Sequence, residues 1–250
     1  MLGAYLIYWE LAGEADDGIE QQKMMIIMNR LLLFIKRVLY KIGIDISFVR
    51  KEELRTALEW NEADAMNKAW SDQKLILAFT SKSVLERHLG TLSILEDHAI
   101  DLSGKSVIDV GCGTGMLLKT LSEKFNISSQ TGMEYAESAI DLATKSHPAS
   151  KYIVHDINLP HPLKYDAVFC TEVLEHILYP VNAYKNLLQM VQDGGILFIT
   201  VPNGRHDTFF GHINFWSPES WDTFIKENSF GLRYTTEEVR KNLLYAIIYK

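Results

Sequence analysis

Apolar residues recur at intervals of three and four from Lys51 to His98, and this spacing predicts a succession of amphipathic helices. From Ser106 onward the pattern changes, because short apolar runs alternate with amphipathic stretches. The apolar runs predict strands at 106–110, 129–134, 151–155, 165–170, 196–201, 231–234 and 242–249. Helices are predicted at 116–124, 182–191 and 217–228. Such alternation is typical of an α/β fold.

The stretch 29–43 has the pattern of a basic amphipathic helix, with Gly43 as its C-cap. Such a helix packs against neighbouring helices or lies on an anionic membrane surface, and the sequence leaves both interpretations open. Its uncharged run is far shorter than the ~20 residues that a membrane span needs. Residues 1–27 are interpreted as a disordered leader. We therefore predict a helical N-terminal extension over 1–100 and a second domain over 101–250.

The composition, with 47% hydrophobic and 23% charged residues, is that of a folded protein and excludes disordered classes. Twenty-five basic and 32 acidic residues give a net charge of −7, which disfavours a nucleic-acid partner because phosphate binding requires positive charge. Cys112 and Cys170 lack the spacing of a disulfide framework or a zinc site. The predicted compartment is the cytoplasm, at its membrane face if the 29–43 helix binds lipid.

A glycine-rich turn, Gly111-Cys-Gly-Thr-Gly115, joins the first predicted strand to a helix. Strand, glycine turn and helix form the nucleotide-binding start of a doubly wound sheet. A dinucleotide site needs the spacing GxGxxG, but Met116 stands at the third glycine position, which disfavours an NAD-dependent dehydrogenase. Glu134 ends the second predicted strand, where a carboxylate can accept both ribose hydroxyls. The spacing therefore predicts a nucleoside site.

The whole motif series resembles that of the class I S-adenosylmethionine-dependent methyltransferases. The resemblance rests on Val107–Gly115, Glu134, Asp156 and Asp166–His176, in that order, and covers about residues 100–250. Within this family the sequence is most similar to the group that contains the ubiquinone-biosynthesis O-methyltransferases. The resemblance implies a Rossmann-like seven-stranded sheet with helices on both faces, closed by an antiparallel hairpin. It also implies S-adenosylmethionine as the cofactor.

The resemblance further implies which residues hold the methionine part of the cofactor. Thr171, at the end of the fourth predicted strand, would lie beside it. The glycine turn would cradle it through Asp109, Gly111, Cys112, Gly113 and Gly115. For Cys112 the expected role is to fill space near the ligand.

By the same resemblance, Glu134 would bind the ribose, and Met133 or Tyr135 would pack on the adenine face. Asp156 would receive the adenine amino group, with Ile157 donating a backbone amide to the ring. Taken singly, each acidic residue could be a helix cap or a solvated strand end. Their occurrence together in register favours the cofactor site.

Two segments supply candidates for chemistry on the methyl acceptor. Glu172, Glu175 and His176 are spaced i, i+3 and i+4, so they share a face if the segment is helical. The second segment is the loop 203–216, whose candidates are His206, Asp207 and His212. A hydroxyl acceptor must lose a proton, and His176 or His212 is predicted as the base. A role in helix packing is the alternative for the first segment.

Glu172, Glu175, His176 and His212 also combine two carboxylates with two imidazoles, a set that can hold a divalent metal ion. The set resembles the metal ligands of the small-RNA 2'-O-methyltransferases, which implies an RNA substrate. The acidic net charge argues against that substrate. The sequence does not decide whether these residues act as a general base, bind a metal ion or only pack a helix.

Six aromatic residues lie between positions 209 and 224, and we expect them to be divided between the core and an acceptor pocket. Tyr40, Trp60 and Trp70 are predicted for the opposite wall. The predicted function is methyl transfer to a small molecule, at a hydroxyl of a sugar or glycan intermediate or of a quinone precursor. The rivals are a metal-assisted RNA 2'-O-methyltransferase and a non-catalytic nucleoside-binding module.

Overall fold

The computed structural model describes residues 51–239 and 242–250. The predicted leader, the basic helix 29–43 with its membrane contact, and Tyr40 lie outside the described residues. Residues Thr56–Lys250 form one compact unit, to which the sheet and the cavities described below belong. The division at residue 100 stays a prediction.

Within the described residues, four helices precede the first strand, and we call them the cap helices. They are α1 (Lys51–Trp60), α2 (Ala63–Ala69), α3 (Gln73–Phe79) and α4 (Lys82–Asp97). Asp72 caps α3 by accepting the amides of Lys74 and Leu75. These helices agree with the apolar periodicity between residues 51 and 98. No helix among the described residues is long and apolar enough to cross a bilayer.

Strands and helices alternate in the remainder, as predicted. The elements are β1 (Ser106–Val110), α5 (Met116–Lys124), β2 (Ser129–Glu134), α6 (Glu137–Ser146), β3 (Lys151–Val154), β4 (Tyr165–Thr171), α7 (Pro180–Met190), β5 (Val191–Pro202), α8 (Pro218–Asn228), β6 (Arg233–Val239) and β7 (Leu243–Tyr249). Strand β5 begins earlier than predicted, because Val191 already pairs with Tyr165 of β4. Helix α8 starts at the expected cap, where Ser217 and Ser220 form a reciprocal capping box.

The seven strands form one sheet in the order β3-β2-β1-β4-β5-β7-β6. Strands β1 to β5 pair in parallel, whereas β7 runs antiparallel to both β5 and β6. The predicted seven-stranded sheet with its closing hairpin is confirmed. The direction of winding reverses between β1 and β4, and ligands of open α/β sheets bind at such a switch point, beyond the carboxyl ends of the strands.

Alternate residues of β1 belong to two separate cores, one on each face of the sheet. Val107 shares a buried cluster with Leu95 of α4. Ile108 shares the other cluster with Tyr184 of α7 and Trp221 of α8. Because successive side chains of a strand point to opposite faces, burial on both faces requires helices on both. This packing fixes the strand ends at which the polar motif residues lie.

Candidate active site

A cavity of about 810 Å³ opens at the carboxyl ends of β1, β2 and β4 and is walled by the cap helices and the loop 203–216. Its volume is in the range that small-molecule ligands occupy. A second cavity, of about 170 Å³, adjoins it. The lining residues shared by the two include Trp70, Arg87, Gly111, Gly113 and Glu172.

The glycine turn after β1 is held in a backbone conformation that favours glycine. Gly111 and Gly113 have φ angles of +77° and +48°. The amides of Gly111 and Cys112 both donate to the carbonyl of Met133, at 2.8 and 3.0 Å, which ties the turn to β2. A Cβ on Gly111 would lie 2.2 Å from Cγ2 of Val173. The turn is therefore rigid and close-packed where it borders both cavities.

Glu134, at the end of β2, is buried and points at this turn. Its carboxylate accepts the amides of Tyr135 at 2.8 Å, and of Gly113 and Ala136 at 3.3 Å. Burial raises the pKa of Glu134, although these hydrogen bonds favour the charged form. The carboxylate lines the main cavity and can accept hydroxyl donors from a ligand there.

Asp109, in β1, is a second buried carboxyl group and lines the smaller cavity. Its Oδ1 atom is buried without a hydrogen-bond partner among the described residues. Burial, followed by the charge of Glu134, raises the pKa of Asp109 to about 7. Two buried carboxyl groups with an unsatisfied oxygen form a site that a positively charged ligand group would stabilise.

Three further residues predicted for the nucleoside also line the main cavity: Tyr135, Asp156 and Ile157. Ile157 is buried, and its carbonyl accepts the side-chain amide of Asn186 at 2.8 Å. Asp156 is exposed, and one oxygen accepts both the backbone and the side-chain amide of Asn158. The other carboxylate oxygen of Asp156 can therefore accept a hydrogen bond from a ligand at the rim of the cavity.

The remaining predicted cofactor residues divide between two positions. Cys112 and Thr171 line the smaller cavity beside Asp109. Gly115 lines neither cavity. It has a φ angle of +73°, and a Cβ there would lie 2.4 Å from the hydroxyl of Tyr152. Its observed role is to end the turn and start α5, a packing role that the motif spacing alone does not distinguish from ligand contact.

At the other end of the cavity, the segment after β4 is not the α-helix considered from the spacing. Glu172 has a φ angle of +57°, and the helical part is a single 3₁₀ turn, Leu174–His176. The tight turn nevertheless directs Glu172, Glu175 and His176 into the same cavity, where His212 of the loop 203–216 meets them. The sequence suggested the grouping, but not its backbone conformation.

The two histidines are held by acceptors at the same ring nitrogen. Nδ1 of His176 bonds the carbonyl of Gly211 at 3.1 Å, and Nδ1 of His212 bonds a carboxylate oxygen of Asp207. Because a carbonyl or a carboxylate can only accept, each Nδ1 carries the hydrogen. In the neutral rings, both Nε2 atoms therefore offer lone pairs. Burial lowers the pKa of His176 to about 4, so this ring is neutral at pH 7.

Glu175 lies beside these rings, whose centroids are 4.6 Å apart. Both of its carboxylate oxygens are buried without a hydrogen-bond partner in the described part of the chain, and Oε1 is 3.9 Å from Nε2 of His212. One ligand atom from each of Glu175, His176 and His212 lies within 4.8 Å of the other two. Burial and the neighbouring Glu172 raise the pKa of Glu175 well above its ordinary value. The cluster is therefore rich in acceptors and needs a proton or a cation.

Two lining residues, Asn61 and Arg87, were not predicted as functional. Arg87 of α4 borders both cavities. Burial raises the pKa of Glu172, and the charge of Arg87 opposes that rise. Arg87 could have been found as a basic residue on the inner face of the last cap helix. Trp60 and Trp70, which were predicted for the wall, line the main cavity.

A family model described as a methyltransferase domain matches residues 89–235, which is more than half of the chain. The ubiquinone biosynthesis O-methyltransferase of Coxiella burnetii (strain RSA 493 / Nine Mile phase I) is 35% identical over 114 residues, covering 43% of this chain and 47% of that protein. The enzyme of the same name from Dechloromonas aromatica (strain RCB) is 32% identical over 115 residues, covering 43% and 48%. The chain spans about half the length of the curated relatives it matches.

Solved structures agree in fold. The N-methyltransferase NodS of Bradyrhizobium japonicum WM9, in complex with S-adenosyl-L-homocysteine, has a TM-score of 0.58 at 17% identity and covers 76% of this chain and 98% of that chain. The DhpI–SAM–HEP complex has a TM-score of 0.62 at 16% identity, with coverages of 78% and 98%. With its motif series, strand order and family match in agreement, this chain belongs to the methyltransferase-domain family, as a class I S-adenosylmethionine-dependent methyltransferase.

Proposed function

We propose that this protein transfers a methyl group from S-adenosylmethionine to a hydroxyl oxygen of a small molecule. One observation carries the proposal: two adjoining cavities combine a buried acidic pair beside a glycine turn with a partly buried cluster of imidazoles and carboxylates. The first set suits a positively charged nucleoside. The second set can orient an acceptor and take its proton.

The cofactor end fits S-adenosylmethionine because its unsatisfied groups match the polar groups of that molecule. The unpartnered oxygen of Asp109 would accept the methionine ammonium, and Arg87 would pair with the methionine carboxylate. Glu134 would accept the ribose hydroxyls, and Asp156 the adenine amino group. When bound, the cofactor supplies an electrophilic methyl group on its sulfonium.

His212 is the residue that we propose as the proton acceptor. Asp207 holds its Nδ1–H, so that the Nε2 lone pair faces Glu175 and the cavity. A carboxylate in this position also stabilises the imidazolium that forms when the ring takes a proton. Burial lowers the pKa of His176 to about 4, which disfavours this ring as the proton acceptor. Its Nε2 lone pair would instead accept a hydrogen bond and orient the acceptor.

The cluster also fits a divalent cation, which is the second candidate mechanism. Glu175 has two buried oxygens without donors among the described residues, and each histidine directs an unprotonated Nε2 toward the cavity. Glu172 would complete a set of two carboxylates and two imidazoles. A bound divalent ion would supply a Lewis acid that lowers the pKa of an acceptor hydroxyl.

The wall of the acceptor region favours a flat, largely apolar molecule. It includes Trp60, Met66, Phe209 and Ile213, and the cluster of imidazoles and carboxylates lines the same cavity. A phenolic quinone precursor has this distribution of apolar ring and hydroxyl, and the relatives from Coxiella and Dechloromonas are named for ubiquinone biosynthesis. A sugar intermediate, which also stacks on aromatic rings, is the alternative acceptor.

The test is transfer of a labelled methyl group from S-adenosylmethionine to three acceptor sets: phenolic quinone precursors, nucleotide sugars and RNA with a free 3'-terminal ribose. We expect label in the phenols. Label in the sugars alone would change the acceptor class, and label in RNA alone would favour the RNA 2'-O-methyltransferase. No label in any set, together with binding of S-adenosylhomocysteine, would favour the non-catalytic module.

A chelator separates the two mechanisms. Activity that survives EDTA supports His212 as the base. Activity that is lost with EDTA and restored by Mg²⁺ or Mn²⁺ supports the divalent ion at the four-residue cluster.

A further inference from the structure

Asn61, in the turn between α1 and α2, bridges the two ends of the cavity. Its side-chain amide nitrogen donates to the carbonyl of Ala57 at 2.8 Å and to the carbonyl of Gly211 at 2.7 Å. Both neighbours are carbonyl oxygens, so this atom must be the NH₂ group. The backbone carbonyl of Asn61 accepts the hydroxyl of Tyr135 at 3.2 Å. One residue thus contacts both the Glu134 side and the loop 203–216.

The carbonyl of Gly211 is shared. It accepts the Asn61 side chain and also the Nδ1–H of His176, at 3.1 Å. This part of the loop is seated against the cap helices, because a Cβ on Gly211 would lie 2.6 Å from Cδ1 of Trp60. The atom that fixes the tautomer of His176 is therefore itself fixed by Asn61.

On the other side, Tyr135 belongs to the predicted nucleoside site. Its amide donates to the Glu134 carboxylate at 2.8 Å, and its side chain lines the main cavity. A continuous path of hydrogen bonds runs from Glu134 through Tyr135 and Asn61 to Gly211 and His176. All five residues line the cavity or are bonded to a residue that does.

We propose that Asn61 is a positioning residue, which holds the Gly211 carbonyl so that His176 keeps its Nδ1–H tautomer and presents Nε2 to the acceptor while a nucleoside occupies the Glu134 side. This inference rests on the proposed function, because it assigns a task to His176 and to the nucleoside site. The cap helices are then part of the active site and not only a cover for it.

The path has a matched control in the same cap helices. Asn67 of α2 ties the cap helices to helix α6, because its side-chain oxygen accepts the amide of Ser138 at 3.0 Å and the hydroxyl of Ser138 at 3.1 Å. The variant Asn67→Ala removes these side-chain hydrogen bonds between the cap helices and α6. It leaves the Gly211 carbonyl, which accepts hydrogen bonds from both Asn61 and His176, unchanged. A general loosening of the cap would affect both variants, whereas the proposed role affects only Asn61.

The experiment measures the ¹⁵N shifts of the His176 ring in the full chain, saturated with S-adenosylhomocysteine, with the signals assigned through His176→Asn. We expect the Nδ1–H tautomer to dominate in the wild type and in Asn67→Ala. In Asn61→Ala the tautomer ratio should fall about fivefold to tenfold, the effect of one hydrogen bond of ordinary strength. The carboxylate in Asn61→Asp has the shape of the amide but cannot donate a hydrogen bond to the Gly211 carbonyl. This variant replaces Asn61→Ala in the experiment if the alanine variant does not fold.

Each outcome decides the proposal. An unchanged tautomer ratio in Asn61→Ala or Asn61→Asp, or an equal loss in Asn67→Ala, would overturn it. Kinetics give a second readout: with a methylated phenol as product, Asn61→Ala should lower kcat about fivefold to tenfold and leave KM for S-adenosylmethionine unchanged. Failure of the wild type to bind S-adenosylhomocysteine would instead refute the proposed function, and is observed separately in the same titration.

Discussion

The two ends of the cavity are built in different ways. The cofactor end is made by the ends of two adjacent parallel strands, and its main residues lie between Asp109 and Glu134. The acceptor end joins the 3₁₀ turn after β4, the loop 203–216 and the cap helices, which are far apart in the sequence. A sheet edge thus forms the end proposed for the nucleoside, and loops held by hydrogen bonds form the end proposed for the acceptor.

This difference suggests that the two ends of the cavity have different functions. In the proposed function the sheet edge binds the cofactor, and its geometry is set mainly by the backbone of the glycine turn. The loops and cap helices carry the aromatic wall and the ionisable cluster, so changes there would alter the acceptor and the chemistry. Variants at the two ends should therefore affect different measurements.

The largest effect is expected at the acceptor end. His212→Ala should lower the rate of methyl transfer to a phenolic acceptor by about 10²–10⁴-fold, the usual contribution of a general base. The affinity for S-adenosylhomocysteine should change less than about twofold, because His212 is outside the nucleoside side. His206→Asn, in the same loop but exposed and outside both cavities, is the control. A large loss of cofactor affinity in His212→Ala would show that the two ends of the cavity do not have separate roles.

At the cofactor end the turn itself should be sensitive. Gly111→Ala introduces a Cβ 2.2 Å from Val173 at a φ angle of +77° and should destabilise the fold by about 3 kcal/mol in urea unfolding. Gly104→Ala is the matched control: its φ angle is +73° but no atom lies within 4 Å of the new Cβ, so it should cost only about 1 kcal/mol. Equal losses would mean that close packing of the turn is unimportant.

A smaller effect is expected from pH. The pKa of Asp109 is raised to about 7 by burial, so the carboxyl group is largely protonated below pH 6 and gains its charge as the pH rises through 7. The affinity for S-adenosylhomocysteine, whose ammonium would face Asp109, should therefore increase up to about tenfold between pH 5.5 and 8. Calorimetry in buffers of different ionisation enthalpy should detect proton release on binding. Asp109→Asn should abolish the pH dependence, and a pH-independent wild type would contradict this assignment.

The sequence predicted the strands and the turn at the cofactor end because their signals are local. The alternation of strands and helices, the glycine turn and the acid at the end of β2 lie within about 30 residues, and regular hydrogen bonding converts their spacing into geometry. The sequence did not distinguish the role of Gly115, which packs on Tyr152, from the roles of the glycines that border the cavities. That distinction depends on a tertiary contact.

The acceptor end was predicted only as a set of residue types. Two carboxylates and two imidazoles do meet in one cavity, but helical spacing misjudged the backbone at Glu172, whose positive φ angle no residue type in the segment signals. The contributions of Asn61 and Arg87 depend on how the cap helices pack, and amphipathic periodicity gives only which face is buried. Long-range packing therefore limits what the sequence reveals about the acceptor side.

The proposed function requires that the acid at the end of β2 and the glycine turn bind a sulfur-containing nucleoside. Titration calorimetry of S-adenosylhomocysteine with wild type, Glu134→Ala and Glu137→Ala measures this binding. Glu137→Ala is the control, since Glu137 is exposed and outside both cavities. We predict binding to the wild type and to Glu137→Ala. For Glu134→Ala we predict about 100-fold weaker binding, as expected for two lost hydrogen bonds to a charged group. Absence of binding to the wild type, or unchanged affinity in Glu134→Ala, would contradict the account.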